Sequence, residues 1–205
     1  MSMQRNWKGM VFIATSLDGF IARPDGDISW LTDPPPNPHH VRGEPGGDPP
    51  PGYEEFIAGV DHLVMGRGTY EKVLTFGFWP YGGLQVLVLS TTLSRKTDGN
   101  VTVMSSLDEA IRTLAAREAT AVYVDGGRVI QTFLSNGLID ELTICTAPVL
   151  IGGGLPLFGL LDHDVRVTHV GTSTSDTGMT SSRYAVLHER GQKTVRGTAH
   201  RDAHA

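Results

Sequence analysis

The 205-residue chain has a single cysteine, Cys145. One thiol excludes an internal disulfide and any zinc site built from several cysteines. Its setting, Leu142-Thr143-Ile144-Cys145, is apolar and strand-like, which points to a buried structural thiol and not to a nucleophile. Long apolar runs are also missing. No stretch is long enough to span a bilayer, and the polar first eight residues lack the apolar region of a signal peptide. Positive charge is not in excess, since the formal net charge is −5. Bulk binding to nucleic acid or to an anionic membrane is therefore not expected. The expectation is a cytoplasmic protein whose partners are small molecules.

What the chain does have is enough apolar residues, 40% of the total, for one large domain. Its organising stretch runs from Ala121 to Leu134. Ala121-Val122-Tyr123-Val124 reads as a buried strand, Gly126-Gly127 breaks it, and Val129, Ile130, Phe133 and Leu134 follow with helical spacing. Paired glycines between a strand and a helix let backbone N–H groups approach an anion, and the helix N-terminus adds partial positive charge. The same pattern also serves as a plain tight turn.

Taken in order, the chain repeats this arrangement. Gly9–Ala14 is a continuous apolar run and predicts a central strand. The loop after it carries Leu17, Phe20, Ile28 and Trp30, which pack either into the core or against a bound ring. Residues 33–52 hold eight of the twelve prolines and predict an irregular insertion. His39-His40 lies there without ligand-like spacing, and no metal site is expected. A short helix is predicted over 53–60, then a strand ending at Gly66 and a helix opening at Arg67. A strand over 85–89 ends in the hydroxyl cluster Ser90-Thr91-Thr92. A strand over 101–103 and a helix over 107–116, capped by Ser105 or Ser106, precede the organising stretch. A long strand is predicted over 138–151, and a hairpin over 165–174 and 180–188 closes the sequence. Residues 189–205 are polar and read as a tail.

Strands alternating with helices, then a hairpin, predict an α/β fold with a mostly parallel central sheet, flanking helices and a C-terminal antiparallel hairpin. Three loops of anion-binding type then meet at the carboxyl ends of the strands: Gly66-Arg67-Gly68-Thr69, Ser90-Thr91-Thr92 and Gly126-Gly127-Arg128-Val129. That is where ligands sit in open α/β sheets, and three such loops suit a dinucleotide. The glycine triplet of an ordinary dinucleotide-binding domain is absent after the first strand.

The motifs Ala14-Thr15-Ser16-Leu17-Asp18-Gly19, Met65-Gly66-Arg67-Gly68-Thr69-Tyr70-Glu71, Val124-Asp125-Gly126-Gly127, Leu138-Ile139-Asp140-Glu141-Leu142 and Pro148-Val149-Leu150-Ile151-Gly152 carry a resemblance over residues 9–188. The chain resembles the dihydrofolate-reductase-like superfold, and within it the family named for the C-terminal reductase domain of the bifunctional riboflavin-biosynthesis deaminase–reductase. The resemblance implies an NADPH-binding reductase and a homodimer. It implies that Arg67 and Thr69 contact cofactor phosphates, that Ser90 and Thr91 lie near the 2′-phosphate, and that Gly126 and Gly127 wrap the pyrophosphate.

Two departures matter. The chain has no cysteine motif of a zinc deaminase. The insertion also occupies the place where the helical proton donor of dihydrofolate reductases belongs. The candidate acids are Glu55, with its neighbour Glu54, and Asp18, which is otherwise a turn former. Small Ala14 leaves room beside a nicotinamide, and Phe20 and Trp30 offer faces to a substrate ring. The expected function is hydride transfer from NADPH to a planar heterocycle, a pterin or a ribosyl-aminopyrimidine, with the insertion as a lid. The alternative is a non-catalytic NADPH- or nucleotide-binding protein. A flavin-dependent oxidoreductase is a weaker third reading.

Overall fold

The computed structural model describes residues 5–33, 46–94 and 97–188. In chain order the elements are β1 (Lys8–Ser16), β2 (Phe20–Ala22), α1 (Ser29–Thr32), β3 (Gly46–Gly47), α2 (Tyr53–Ala58), β4 (His62–Gly66) and α3 (Arg67–Leu74). Then come β5 (Gln85–Leu89), β6 (Thr97–Asp98), β7 (Val101–Met104), α4 (Leu107–Ala116), β8 (Ala121–Asp125) and α5 (Gly127–Ser135). The chain ends with β9 (Glu141–Ala147), β10 (Leu155–Pro156), β11 (Val167–Thr174) and β12 (Thr180–Val186).

Ten of these strands form one sheet in the order β3-β11-β12-β9-β1-β8-β4-β5-β7-β6. The block from β9 to β7 is parallel. β12, β11 and β3 close one edge antiparallel, and β6 closes the other. A mostly parallel sheet with flanking helices and a terminal antiparallel hairpin is thus the fold. The inner strands are apolar throughout because helices cover both faces. Successive residues alternate between the two cores. Val64, Leu87, Val122 and Val124 pack with Ile130 and Phe133 of α5 and Leu114 of α4. Leu63, Met65, Val86, Val88 and Tyr123 pack with Phe56 of α2 and Val73 of α3 on the other face.

The expected 138–151 strand is shorter than its apolar pattern. Leu138 N–H bonds back to Phe133 O, so this part still belongs to the end of α5. Pro148, which has no N–H to donate, follows directly on the end of β9. β9 also lies between β12 and β1, so it exposes no edge for another subunit.

Asp140, just before β9, gathers the two ends of the described chain. Its carboxylate accepts from Gly9 N–H at 2.7 Å, from Arg5 Nη2 at 2.7 Å, and lies 2.9 Å from His188 Nε2. Cys145 is buried as expected, and burial pushes its thiol pKa up. Of the insertion, 34–45 lies outside the described residues, and with it His39-His40. Its far end is pinned: Gly46 and Gly47 pair with β11, and Asp48 forms an ion pair with Arg183. The 189–205 tail also lies outside the described residues. No helix among the described residues is long and apolar enough to cross a membrane.

Candidate functional site

Parallel pairing places the carboxyl ends of β4, β5 and β8 side by side. The segments leaving them border one cleft of about 860 Å³. Gly66, Arg67 and Thr69 line it from α3, Ser90 and Thr91 from the end of β5, and Gly126, Gly127, Arg128 and Val129 from α5. Nine of the ten residues expected at a cofactor are therefore together, although Gly66 and Val129 lie 63 positions apart in the chain. The tenth, Ala14, does not line the cleft. It sits partly buried in β1, in register with Cys145. The opposite wall is a small two-stranded flap, β2 with β10, which contributes Ile21, Leu155 and Pro156.

Gly126 is the N-cap of α5 at φ 88°, a conformation costly for any residue with a side chain. A Cβ there would overlap Thr69 Oγ1. A Cβ on Gly66 would stand 3.2 Å from Val129 Cγ2. The α3 and α5 starts thus meet closely because three of the four junction residues are Gly66, Gly126 and Gly127.

The three helices at the cleft differ in how their first N–H groups are treated. In α4, Ser106 Oγ accepts from Glu109 N–H at 3.2 Å, and Asp108 and Glu109 add negative charge to the first turn. Neither α3 nor α5 has a side-chain cap or an acidic first-turn residue. Each instead carries an arginine in its first turn, Arg67 at the first position of α3 and Arg128 at the second of α5. A cation there opposes the helix macrodipole at a cost of about 0.3–1 kcal/mol. Uncapped donors with cations beside them are the groups that attract an anion. Arg67 also reaches the neighbouring turn. Its Nε donates to Glu71 Oε1 at 2.6 Å and its Nη1 to Thr92 Oγ1 at 2.7 Å.

The structure reassigns the expected acids. Asp18 accepts from Ser16 Oγ at 2.6 Å, from Gly152 N–H at 2.7 Å and from Ile151 N–H at 3.2 Å. The Ser16 hydroxyl first, and then the two amides, hold its carboxyl below the usual range against the opposing pull of desolvation. Its carboxylate ties the loop after β1 to the turn at Ile151 and Gly152. Glu54 and Glu55 are exposed on the first turn of α2, whose buried residue is Phe56. Phe20 pairs with Pro156 behind the flap, and its neighbour Ile21 is the one that lines the cleft. Trp30 is buried, with its Nε1 unpartnered among the described residues, and does not line the cleft.

A further ionisable residue beside the cleft, one that sequence reasoning did not single out, is Asp125, the last residue of β8. It is partly buried, and burial pushes its pKa from the ordinary 3.8 up to about 6. Its Oδ1 accepts from Gly126 N–H at 2.8 Å, and its Oδ2 from Tyr81 Oη at 3.3 Å. Tyr53 lies close enough for burial and then the Asp125 charge to push its hydroxyl up to about 12. Phe12 packs 5.4 Å from Tyr53 and 5.1 Å from Phe56, so rings line this side. The available signal was an ionisable residue ending an otherwise apolar strand, directly before the glycines.

Comparison with known proteins gives the family and the fold. The model of the RibD C-terminal domain matches residues 8–181. The uncharacterized Bacillus subtilis (strain 168) protein YwjB is 35% identical over 172 residues, covering 80% of this chain and 90% of that protein. The crystal structure of a Shewanella sp. PV-4 protein ascribed to riboflavin biosynthesis is 37% identical, with TM-score 0.75, over 88% of this chain and 99% of that one. Dihydrofolate reductase from Enterococcus faecalis, solved with NADP(H), is 19% identical and shares the fold with TM-score 0.59, over 88% and 96% of the two chains. The chain belongs to the RibD C-terminal domain family and has the dihydrofolate-reductase-like fold.

Proposed function

We propose that the cleft binds NADPH and that the protein reduces a planar heterocycle, a pterin or a ribosyl-aminopyrimidine. The carrying observation is the pair of uncapped, arginine-bearing helix starts that meet across Gly66, Gly126 and Gly127. The cleft volume of about 860 Å³ lies within the range of small-molecule and cofactor sites. Backbone N–H groups of α3 and α5 would hold the pyrophosphate. Arg67, Ser90 and Thr91 would hold the 2′-phosphate, for which a guanidinium is well shaped. Ala14 would lie toward the nicotinamide. When bound, the dinucleotide supplies the hydride.

The remaining work belongs to the chain. A reduced ring nitrogen needs a proton, and a group that titrates near neutral pH delivers one best. Asp125 is such a group, one residue from the cleft. Tyr81 orients its carboxyl, and burial favours its protonated form.

The test is binding followed by turnover. NADPH is titrated first, and its oxidation is then followed with dihydrofolate, dihydropterins and ribosyl-aminopyrimidines. Saturable NADPH binding with reduction of one compound class is expected. Tight binding with no reduction of any compound would favour the non-catalytic reading, and no binding would overturn the cofactor assignment.

The same reading carries the expectation of a homodimer. β9 offers no free edge, so the contact is expected at the exposed apolar stretch of Leu150, Leu155, Phe158, Leu160 and Leu161. Light scattering at micromolar concentration should return twice the chain mass. A monomer would contradict it.

A further inference from the structure

Arg67 is followed four residues later by Glu71, both on α3 and both about half-exposed. Cation first and carboxylate second is the weaker order for a helical pair, and it opposes the macrodipole. An exposed pair of this kind contributes little to stability. Its effect is geometric. Nε on Glu71 and Nη1 on Thr92 hold the guanidinium across the gap between α3 and the turn after β5. That turn is itself fixed, because Ser90 Oγ accepts from the N–H groups of Thr92 at 3.2 Å and Leu93 at 3.0 Å. Neither arginine bond uses Nη2.

We infer that Glu71 sets the strength of the 2′-phosphate preference. It orients Arg67 through Nε and offsets part of the positive charge that an incoming phosphate meets. This rests on the NADPH reading above. The two roles separate chemically. Glutamine at position 71 keeps an acceptor for the Nε–H and removes the negative charge, whereas alanine removes both.

The experiment measures affinity for 2′,5′-ADP and 5′-AMP by calorimetry, and for NADPH and NADH by fluorescence titration. Glu71→Gln should tighten the two 2′-phosphorylated ligands by roughly three- to tenfold. It should leave 5′-AMP and NADH unchanged. Glu71→Ala should lose that gain, because Arg67 is no longer held. In an Arg67→Ala background, Glu71→Gln should change nothing, and a gain there would overturn the route through Arg67. If wild type binds both dinucleotides and Glu71→Gln leaves their ratio unchanged, the Glu71 role falls and the cofactor reading stands. If wild type binds none of the four ligands, both fall together.

Discussion

Asp125→Asn should abolish turnover and at the same time make the folded protein more stable at alkaline pH. The two effects have one cause. The folded-state pKa of about 6 lies above the ordinary 3.8, so the native state binds this proton more tightly than the unfolded chain does. The corresponding stability is fully present below the unfolded value, and it is lost as pH rises through about 6. Above that pH the native fold holds a partly buried carboxylate at a cost of about 1–3 kcal/mol. Asparagine has the same shape and no charge, so it removes this cost. Urea denaturation should show the variant more stable than wild type at pH 8, with the difference shrinking as pH falls through about 6 and gone only below the ordinary 3.8. Catalysis should move the other way. Wild-type turnover should fall as pH rises through about 6, as the proton leaves Asp125. The variant should be slower by about 100-fold or more and lack that transition. A variant with wild-type turnover would remove Asp125 from the chemistry.

Gly68→Asp should cost NADPH affinity at least tenfold, about 1.4 kcal/mol, and leave the fold intact. Gly68 lines the cleft in the first turn of α3, and a Cβ there meets nothing within 4 Å. A carboxylate suits a helix N-terminus, which is worth about 0.3–1 kcal/mol, so the melting temperature should hold or rise. The same carboxylate occupies the place proposed for the pyrophosphate. Unchanged NADPH titration in this folded variant would move the phosphates elsewhere. Gly127→Asp, which the sequence suggests as the natural probe, is not clean. A Cβ at Gly127 stands 2.9 Å from Pro156 O and 3.2 Å from Ile21 Cδ1. Aspartate there would displace the flap and cost about 1–3 kcal/mol of stability, confounding the binding measurement.

The sheet was legible in the sequence because buried parallel strands are uniformly apolar and the turns between them use glycine. Val86-Leu87-Val88 and Val122-Tyr123-Val124 could hardly be anything else. The glycine junctions at the cleft were legible for a related reason: only glycine fits Gly126 at φ 88°. The character of Asp125 was not, because it comes from distant partners. Tyr81 lies 44 residues before Asp125, and no local pattern joins them. The surroundings of Asp18 were hidden for the same reason. Its partners, the amides of Ile151 and Gly152, lie more than 130 residues away and convert a free-looking carboxyl into a clamp. β3, β6 and β10 have two residues each, too few to show a period, and they exist only because a neighbouring strand offers them hydrogen bonds.

The Asp140 clamp has a consequence for how such a domain can be carried. Arg5 and His188 share one carboxylate at the amino end of the parallel strands, opposite the cleft. The described chain therefore begins and ends at the same doorway, on the side away from the cleft. Another domain can be spliced on at that doorway without reaching the cleft. A short bridge from 188 back to 5 would likewise permit a circular permutant, cut at an exposed loop, that keeps the order of the sheet. The fold behaves as a cassette whose plug and working surface face opposite ways.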